Sequence, residues 1–143
     1  DSRYFFYVEN LCLLEKKDVI EKLIELNKNV ASPILPELIN GKKTDKSNFW
    51  GATDGNGYRK DSKDYIAIVR RKTKGCFSVP FVGACYLVKR RVFEKNRTPY
   101  TREGSAGYRN LDADIAFVKN LTYDRVLFHA DNRFDYGRTS WEY

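Results

Sequence analysis

The first part of the chain changes its hydrophobic period twice, and this change limits the fold more than any other feature. Residues 3–9 are almost all apolar and predict a buried strand. Residues 16–28 place apolar side chains on one face and predict an amphipathic helix, with apolar positions at Val19, Ile20, Leu23, Ile24 and Leu26. Residues 30–35 predict a short strand that Pro33 weakens. A strand, a helix and a strand in this order indicate a βαβ unit and an α/β fold.

The rest of the sequence continues the alternation of helices and strands. Residues 61–72 predict a helix whose first turn Asp61 or Ser62 can cap. Two strand-like runs between residues 76 and 89 are separated by a turn or bulge. The other predicted segments are polar loops at 39–47 and 94–110, a short strand and Gly-rich turn at 48–58, a helix at 110–120, a strand at 125–130 and a tail at 131–143.

The composition fits one globular domain. At 143 residues, 42% of them hydrophobic, the chain is long enough for one core and short for two, so we expect a single domain segment over 1–143. No apolar run is long enough to cross a bilayer. Because the chain starts abruptly inside an apolar segment, we expect a piece of a longer polypeptide.

The net charge of +7 raises the question of an acidic partner. The basic residues are scattered over several loops, and no single helix carries a continuous basic face. A nucleic-acid partner is therefore not favoured, although a module that binds nucleic acid or an anionic polysaccharide remains one interpretation.

The three cysteines, Cys12, Cys76 and Cys85, cannot all pair within the chain. Their apolar neighbours favour buried thiols, and a Cys76–Cys85 bridge across a hairpin is an open alternative. Asn96 and Asn120 each begin an N-glycosylation triplet, and Asn96 is the better acceptor because it lies in a predicted polar loop.

Three acidic features could carry chemistry. Glu9 ends the first strand, Asp112 and Asp114 form an Asp-x-Asp at a helix start, and Asp131 follows His129. Carboxyl ends of strands collect ligands in α/β sheets, so Glu9 and Asp131 could face one crevice. Spacing alone favours Asp112 as a helix cap, with Asp114 in the first turn, over a carboxylate pair for sugar hydroxyls or a base.

The His129–Asp131 pair matches the front half of the two-His, one-carboxylate iron site. The chain contains one His, so that site cannot be completed here, and His129 is predicted to be a strand-end residue with a satisfied hydrogen bond. Trp50 beside Gly51 and Asn48 could form a stacking platform with an amide for a sugar or base, although a core position is the commoner role of Trp.

Five segments, taken in order, resemble the central region of the procollagen lysyl hydroxylases (procollagen-lysine 2-oxoglutarate 5-dioxygenases): KSNFWGA, GYRKDSKDYIAIV, GCFSVPFVGACYLVK, LDADIAF and DNRFDYGR. The match covers almost the whole chain and is most specific between Ser47 and Lys89. The resemblance implies the C-terminal half of an accessory domain that lies between a glycosyltransferase domain and a hydroxylase domain. The implied fold is a partial Rossmann-like GT-A glycosyltransferase fold, with a mixed sheet flanked by helices.

The same resemblance implies partners and cofactors. The parent enzyme would use Fe(II), 2-oxoglutarate and ascorbate in the endoplasmic reticulum lumen, and this segment would bind none of them. Its partners would be the other domains of the parent chain and collagen or collagen-like chains, and a homodimer is left open. An active collagen glycosyltransferase would instead need Mn²⁺ and a UDP-sugar.

Two departures from the family pattern affect the implied metal site. Active GT-A enzymes end the first strand of this segment with Asp-x-Asp, and Glu9 and Leu11 stand at those two places. Near the C-terminus, Phe134 stands where the family usually has His before an acidic residue. Asp112 and Asp114 match a family Asp-x-Asp near the acceptor side. The favoured hypothesis is therefore a non-catalytic accessory segment with a vestigial nucleotide and metal position, and the active glycosyltransferase is the alternative.

Overall fold

A computed structural model describes residues 3–96 and 113–143. These residues form thirteen strands and four helices. In chain order they are β1 (Tyr4–Val8), β2 (Cys12–Leu14), α1 (Val19–Glu25), β3 (Val30–Pro33), β4 (Pro36–Ile39), β5 (Lys42–Ser47), β6 (Phe49–Trp50), β7 (Ala52–Thr53), β8 (Arg59–Lys60), α2 (Tyr65–Val69), β9 (Cys76–Val79), β10 (Phe81–Val82), β11 (Cys85–Lys89), α3 (Arg90–Lys95), α4 (Ala113–Tyr123), β12 (Phe128–Asp131) and β13 (Gly137–Trp141).

A five-stranded mixed sheet lies at the centre, in the order β1-β11-β3-β12-β9. Strand β3 is antiparallel to β11 and parallel to β12, and β1 is antiparallel to β11 at one edge. Strands β1 and β3 therefore run parallel, with α1 between them in the chain, as a βαβ unit requires. The predicted α/β fold with a mixed sheet is confirmed.

Both faces of this sheet are covered, which explains why β3 is buried at all four positions despite Pro33. Val30 and Val88 belong to the hydrophobic cluster on one face, whereas Ala31 and Leu87 belong to the cluster on the other. Helix α1 closes the second face with Val19 and Leu23, and α4 supplies Phe117, Val118 and Leu121 to the first.

The edge strand β1 is only half-buried, unlike the buried strand that its composition predicts. Phe5 and Val8 are 48% and 46% exposed. Ile20 and Ile24, both predicted for the apolar face of the first helix, are also partly exposed. The sequence identified these residues as apolar, but only the sheet order places β1 at an edge, where one side lacks a neighbouring strand.

A second sheet replaces two segments that the sequence predicts to be irregular. Its order is β2-β13-β4-β5. The predicted polar loop 39–47 is instead mostly the strand β5, paired antiparallel to β4, and the predicted tail contains β13. Gly137 opens β13 at φ +141° with the Leu13 carbonyl in the place where a Cβ would stand, so a side chain is excluded there.

The predicted helix at 61–72 is shorter and begins later. Its α-helical part is α2, with Asp64 at the N-cap position and no side-chain cap hydrogen bond from that residue. The predicted caps Asp61 and Ser62 therefore lie outside it. Helix α3 was missed, because its alternation of basic and apolar residues over one and a half turns gives too short a pattern.

The two strand-like runs between 76 and 89 do not form a hairpin with each other. Strand β9 pairs with β12, and β11 pairs with β1 and β3. All three cysteines are free thiols, so the Cys76–Cys85 bridge is absent. Burial raises the pKa of each thiol, that of Cys12 to about 11, which keeps the thiols protonated at neutral pH.

Candidate functional site

A cleft of about 330 Å³ opens where β1 ends. It brings together five residues that the sequence singles out from distant parts of the chain: Glu9, Leu11, Asn48, Trp50 and Asp114. Strand β1 supplies the first two because its end turns sharply: the Glu9 carbonyl accepts a bond from Cys12 N–H at 3.0 Å, which starts β2. The Glu9 amide donates to the Ala84 carbonyl at 2.8 Å, which fixes this turn against β11.

Two carboxyl groups meet at the floor of the cleft. Asp114, in the first turn of α4, is only 8% exposed, and the carboxyl group of Glu9 lines the same cleft beside it. Its Oδ2 accepts from Ala84 N–H at 2.9 Å, and its Oδ1 accepts from the Tyr86 hydroxyl at 3.1 Å. Tyr7 donates to Glu9 Oε1 at 3.0 Å. A second negative charge close to the first is unfavourable, so neighbouring carboxyl groups favour a proton on one of them.

The proton is favoured by the surroundings of Asp114. Burial, opposed by the Ala84 amide and reinforced by the neighbouring Glu9, raises the pKa of Asp114 to about 7. Gly83 leaves room for this carboxyl group against the backbone, since a Cβ at that position would lie only 3.1 Å from Asp114 Oδ2. The prediction that Asp114 lies in the first turn of its helix is confirmed, but its side chain joins Glu9 across the cleft.

The side chain of Asn48 is buried and already fully engaged. Its Oδ1 accepts from Leu35 N–H at 2.8 Å. Its Nδ2 donates to Ser32 Oγ, Pro33 O and Gly83 O at 3.0, 2.9 and 3.1 Å. The amide predicted for sugar binding therefore ties β3 to the loop before β11 in this structure.

Aromatic rings form the outer wall of the cleft. Trp50 stacks on Phe81, with ring centroids 4.3 Å apart and 19° between planes, and the two residues are paired across β6 and β10. Trp141, 39% exposed at the end of β13, also lines the cleft. Trp50 is half-buried, so it is neither a core residue nor a free platform.

The lining residues that sequence reasoning missed include an acidic and an aromatic side chain, Glu37 and Trp141. Both come from the second sheet, where β4 and β13 pair in parallel register and place Thr139 opposite Glu37. The useful signal was the alternation in the last segment, where Gly137, Thr139 and Trp141 fall on one face of a strand.

Charge distinguishes this cleft from the rest of a basic protein. Three of its lining residues carry carboxyl groups, Glu9, Glu37 and Asp114, and none of its described lining residues is Lys, Arg or His. Anionic ligands are therefore repelled unless a cation accompanies them.

The residues of the cleft do not fit the Mn²⁺ that a GT-A transferase would use. Leu11 offers hydrocarbon where the second carboxylate of that site would stand, and both Asp114 oxygens already accept protein hydrogen bonds. Phe134, at the position of the family His, lies under three cations: Lys16 Nζ, Lys22 Nζ and Arg133 Cζ are 4.6, 5.5 and 5.2 Å from its ring centroid. Among the described residues, no group of three or more His, Cys, Asp or Glu side chains is arranged to hold a metal ion.

Asp131 does not face the same crevice as Glu9, contrary to expectation. It is fully buried and bonds the Arg133 side chain, with Nε 3.0 Å from Oδ1, and also the Tyr136 hydroxyl. His129 also differs from its prediction: within the part of the chain that the structure describes, its buried Nδ1 has no hydrogen-bond partner. Burial, with a smaller contribution from Lys28, lowers the pKa of His129 and keeps the imidazole neutral.

Two sequence predictions fall at or beyond the limit of the described residues. Asp112 lies outside them, as do Arg97 and Thr98 of the first glycosylation triplet. Asn96 itself follows α3 and donates through Nδ2 to Asp124 Oδ2 at 2.9 Å. Its role as a glycosylation site stays a prediction. None of the helices in the described residues is both long and apolar enough to span a bilayer.

The mixed sheet, its flanking helices and the cleft at the end of β1 define a GT-A-like domain of the glycosyltransferase class. The chain belongs to the family described as glycosyltransferase family 25, N-terminal domain, whose model matches residues 1–141.

Relatives with curated names confirm the predicted resemblance to procollagen lysyl hydroxylases. The chain is 32% identical over 136 residues to the "procollagen lysyl hydroxylase and glycosyltransferase" of Acanthamoeba polyphaga mimivirus, covering 94% of this chain and 14% of that protein. It is 33% identical over 138 residues to procollagen-lysine,2-oxoglutarate 5-dioxygenase 1 of Gallus gallus, covering 96% and 18%. The Drosophila melanogaster enzyme is 32% identical, with 95% and 17% covered. The chain thus spans less than a fifth of the length of these relatives.

Proposed function

We propose that this chain is a non-catalytic, glycosyltransferase-like accessory domain of a procollagen lysyl hydroxylase. The observation that carries the proposal is the composition of the cleft at the end of β1: Leu11 replaces one carboxylate, and the remaining carboxyl groups, Glu9 and Asp114, already accept hydrogen bonds from the protein. A sugar nucleotide brings a diphosphate whose charge a cation must offset. The three carboxyl groups of the cleft repel the diphosphate, and its ligand set is poorly suited to hold the cation that would offset this repulsion.

In this proposal the domain has a structural role within a longer enzyme. The names of the relatives support a parent that hydroxylates collagen lysines with 2-oxoglutarate, and hence Fe(II) and ascorbate chemistry in another domain. A secretory-pathway location, collagen or collagen-like chains as partners and contacts with the flanking domains follow from the same proposal. The single His of the sequence and the engagement of Asp131 by Arg133 leave a two-His, one-carboxylate iron site incomplete in this segment.

One observation favours an active collagen glycosyltransferase as the second candidate. Asp114 lies in a cleft, and burial raises its pKa to about 7, the range in which a carboxyl group can act as a general acid or base. In that case Glu9 and Asp114 would serve the transferred sugar or its acceptor. The names of two relatives include glycosyltransferase activity, which keeps this candidate open.

The test is binding and turnover of UDP-sugars by the full-length protein that contains this chain, with and without Mn²⁺. The first candidate predicts that Glu9→Ala and Asp114→Asn leave collagen glycosylation unchanged while both variants remain folded by circular dichroism. Loss of transfer in Glu9→Ala, with lysyl hydroxylation retained, would establish the second candidate instead. The hydroxylation assay separates a local effect on transfer from general loss of the enzyme.

A matched variant examines the metal argument directly. Leu11→Asp restores the missing carboxylate, whereas Leu11→Asn has nearly the same size without the charge. We expect Mn²⁺ to raise the melting temperature of Leu11→Asp and not that of Leu11→Asn or the wild type, since a ligand that binds only the folded state stabilises it. Equal Mn²⁺ stabilisation of the wild type would contradict the proposed loss of the site.

A further inference from the structure

A second depression, which we call the basic groove, lies away from the cleft and has the opposite charge. It has a volume of about 540 Å³ and lies between the β4–β5 hairpin, the end of α2 and the segment that enters β13. Its charged lining residues are Lys43, Arg70, Arg71, Arg138, Asp45 and Asp135. Four cations and two carboxylates leave a formal charge of +2, on a chain whose net charge is +7.

Two of the arginines are held in place by acidic side chains. Arg70 bonds Asp45 Oδ1 through Nε and Nη2, at 3.0 and 2.6 Å. Arg138 pairs with Glu15, with Nη2 3.2 Å from Oε2. A guanidinium has five N–H donors, so each arginine retains donors beyond those contacts. Because their side chains are already positioned, an incoming anion loses less entropy in ordering them.

Arg71 is fixed more firmly, and at a cost to the backbone. Its φ of 59° lies in the left-handed region, which an Arg adopts only with strain that a Gly would avoid. Its Nε and Nη2 donate to the carbonyls of Asn132 and Arg133, at 3.0 and 3.2 Å. These two hydrogen bonds fix the positive charge of Arg71 at the groove, and they use only some of the five N–H donors of its guanidinium.

Lys43 contributes a charge that no carboxylate of the described residues neutralises. It lies exposed on β5, and the same strand carries the exposed Lys42 and Lys46. Strand β5 is the last strand of its sheet, so Lys43 lines the groove at an open edge, while Lys42 and Lys46 add positive charge to the same strand. Positively charged groups on three elements thus converge on one surface.

We propose that the basic groove binds a sulfated polysaccharide through its sulfate groups. Tetrahedral oxyanions match the donor fork of arginine, and permanent charges spaced along a polymer suit cations on separate elements. Single-stranded nucleic acid is disfavoured because no aromatic ring is among the described lining residues, so its bases would find no stacking surface. The proposal is independent of whether the acidic cleft is catalytic.

The test uses the full-length protein and a heparin dodecasaccharide as the probe, with affinity measured by titration calorimetry from roughly 0.05 to 0.3 M NaCl. The test variant is Lys43→Ala/Arg70→Ala/Arg138→Ala. The control, Lys60→Ala/Lys63→Ala/Lys95→Ala, removes the same charge from exposed positions outside the groove. Circular dichroism and melting temperatures establish that both variants are folded.

We expect the groove variant to bind heparin about tenfold or more weakly than the wild type and the control to stay within about twofold. De-sulfated heparin of the same length should bind the wild type as weakly as heparin binds the groove variant. Equal losses in both variants would reduce the effect to net charge and overturn the proposal. Tighter binding of a single-stranded DNA or an acidic peptide of matched charge would also overturn it, since it would assign the groove to another class of partner.

Discussion

Two aspartates of this domain, Asp114 and Asp131, are almost completely buried, but their negative charges are compensated by different groups. Asp114 is 8% exposed and faces a second carboxyl group, Glu9, with a tyrosine hydroxyl and an amide as its donors. Asp131 is fully buried and faces the guanidinium of Arg133 and the hydroxyl of Tyr136. A proton compensates the first pair, and an arginine compensates the second.

The surroundings of the two aspartates also differ in structural role, since the hydrogen bonds around Asp131 join separate segments of the chain whereas Asp114 lines a cleft. The Asp131 cluster connects two distant parts of the chain, because Arg133 Nη2 also donates to the Lys22 carbonyl in α1, at 2.9 Å. Next to it, Asn132 bonds Gly75 N–H, Ile68 O and Thr73 O, each at 2.7 Å. Asp114 is held by the Ala84 amide and the Tyr86 hydroxyl, and it lines the cleft. Asp114 can therefore gain or lose a proton near neutral pH, whereas the charge of Asp131 is compensated by Arg133.

The largest expected effect comes from Asp131→Asn. This change keeps the volume but leaves the Arg133 charge without its partner. We expect a loss of about 3 kcal/mol in the free energy of unfolding, at the lower end for breaking a buried pair because the Arg133 side chain is 31% exposed. Urea unfolding at neutral pH measures it. Asp135→Asn, at the exposed neighbouring position, is the control, and an equal loss there would show that Asp131 has no special role.

A tyrosine pair sharpens the same comparison. Tyr136→Phe removes a hydrogen bond to the ion-paired Asp131, and we expect it to cost about 2 kcal/mol. Tyr86→Phe removes a bond to Asp114 but keeps the ring stacked on Tyr7 and Phe117, with an expected cost of about 1 kcal/mol. Denaturant unfolding of the two variants side by side gives the ranking. The reverse order would mean that Asp114 carries the fuller charge.

The smallest effect at acidic pH, and the most diagnostic one, belongs to Asp114→Asn. The pKa of Asp114 rises from 3.8 to about 7 on folding, so the folded state binds more protons between those values. Wild-type stability attributable to this group therefore falls as pH rises from about 4 to about 7 and is constant above that. We expect the variant to lie within about 1 kcal/mol of the wild type at pH 4 and to gain on it as pH increases.

The background of Glu9→Gln provides the control for this pH dependence. Burial is the first cause of the raised pKa and Glu9 a further one, so the slope should shrink but persist when Glu9 is neutral. A stability difference between Asp114→Asn and the wild type that does not change with pH would show that folding does not raise the pKa of Asp114.

Much of this architecture was predictable from short-range patterns. The helix α1, the strand β3 and the helix that carries Asp114 each follow from a pattern of apolar residues that a short local stretch of sequence shows. Strand β5 was not predictable in this way, because its lysines resemble a solvated loop and pair with β4 only across a turn. Strand β13 needs partners from residues more than a hundred positions away, such as Leu13.

The candidate site divides along the same line. The sequence alone determined which residue types are present: Glu9 and Leu11 at the end of a strand, Trp50 beside Asn48, Asp114 at a helix start, and a net charge of +7. Only the tertiary structure decided that Asn48 is consumed by four hydrogen bonds, that Asp131 belongs to an arginine, and that Glu37 and Trp141 join the cleft. The physical reason is that side-chain chemistry is local, whereas burial, pairing and charge compensation depend on neighbours that folding brings from elsewhere in the chain.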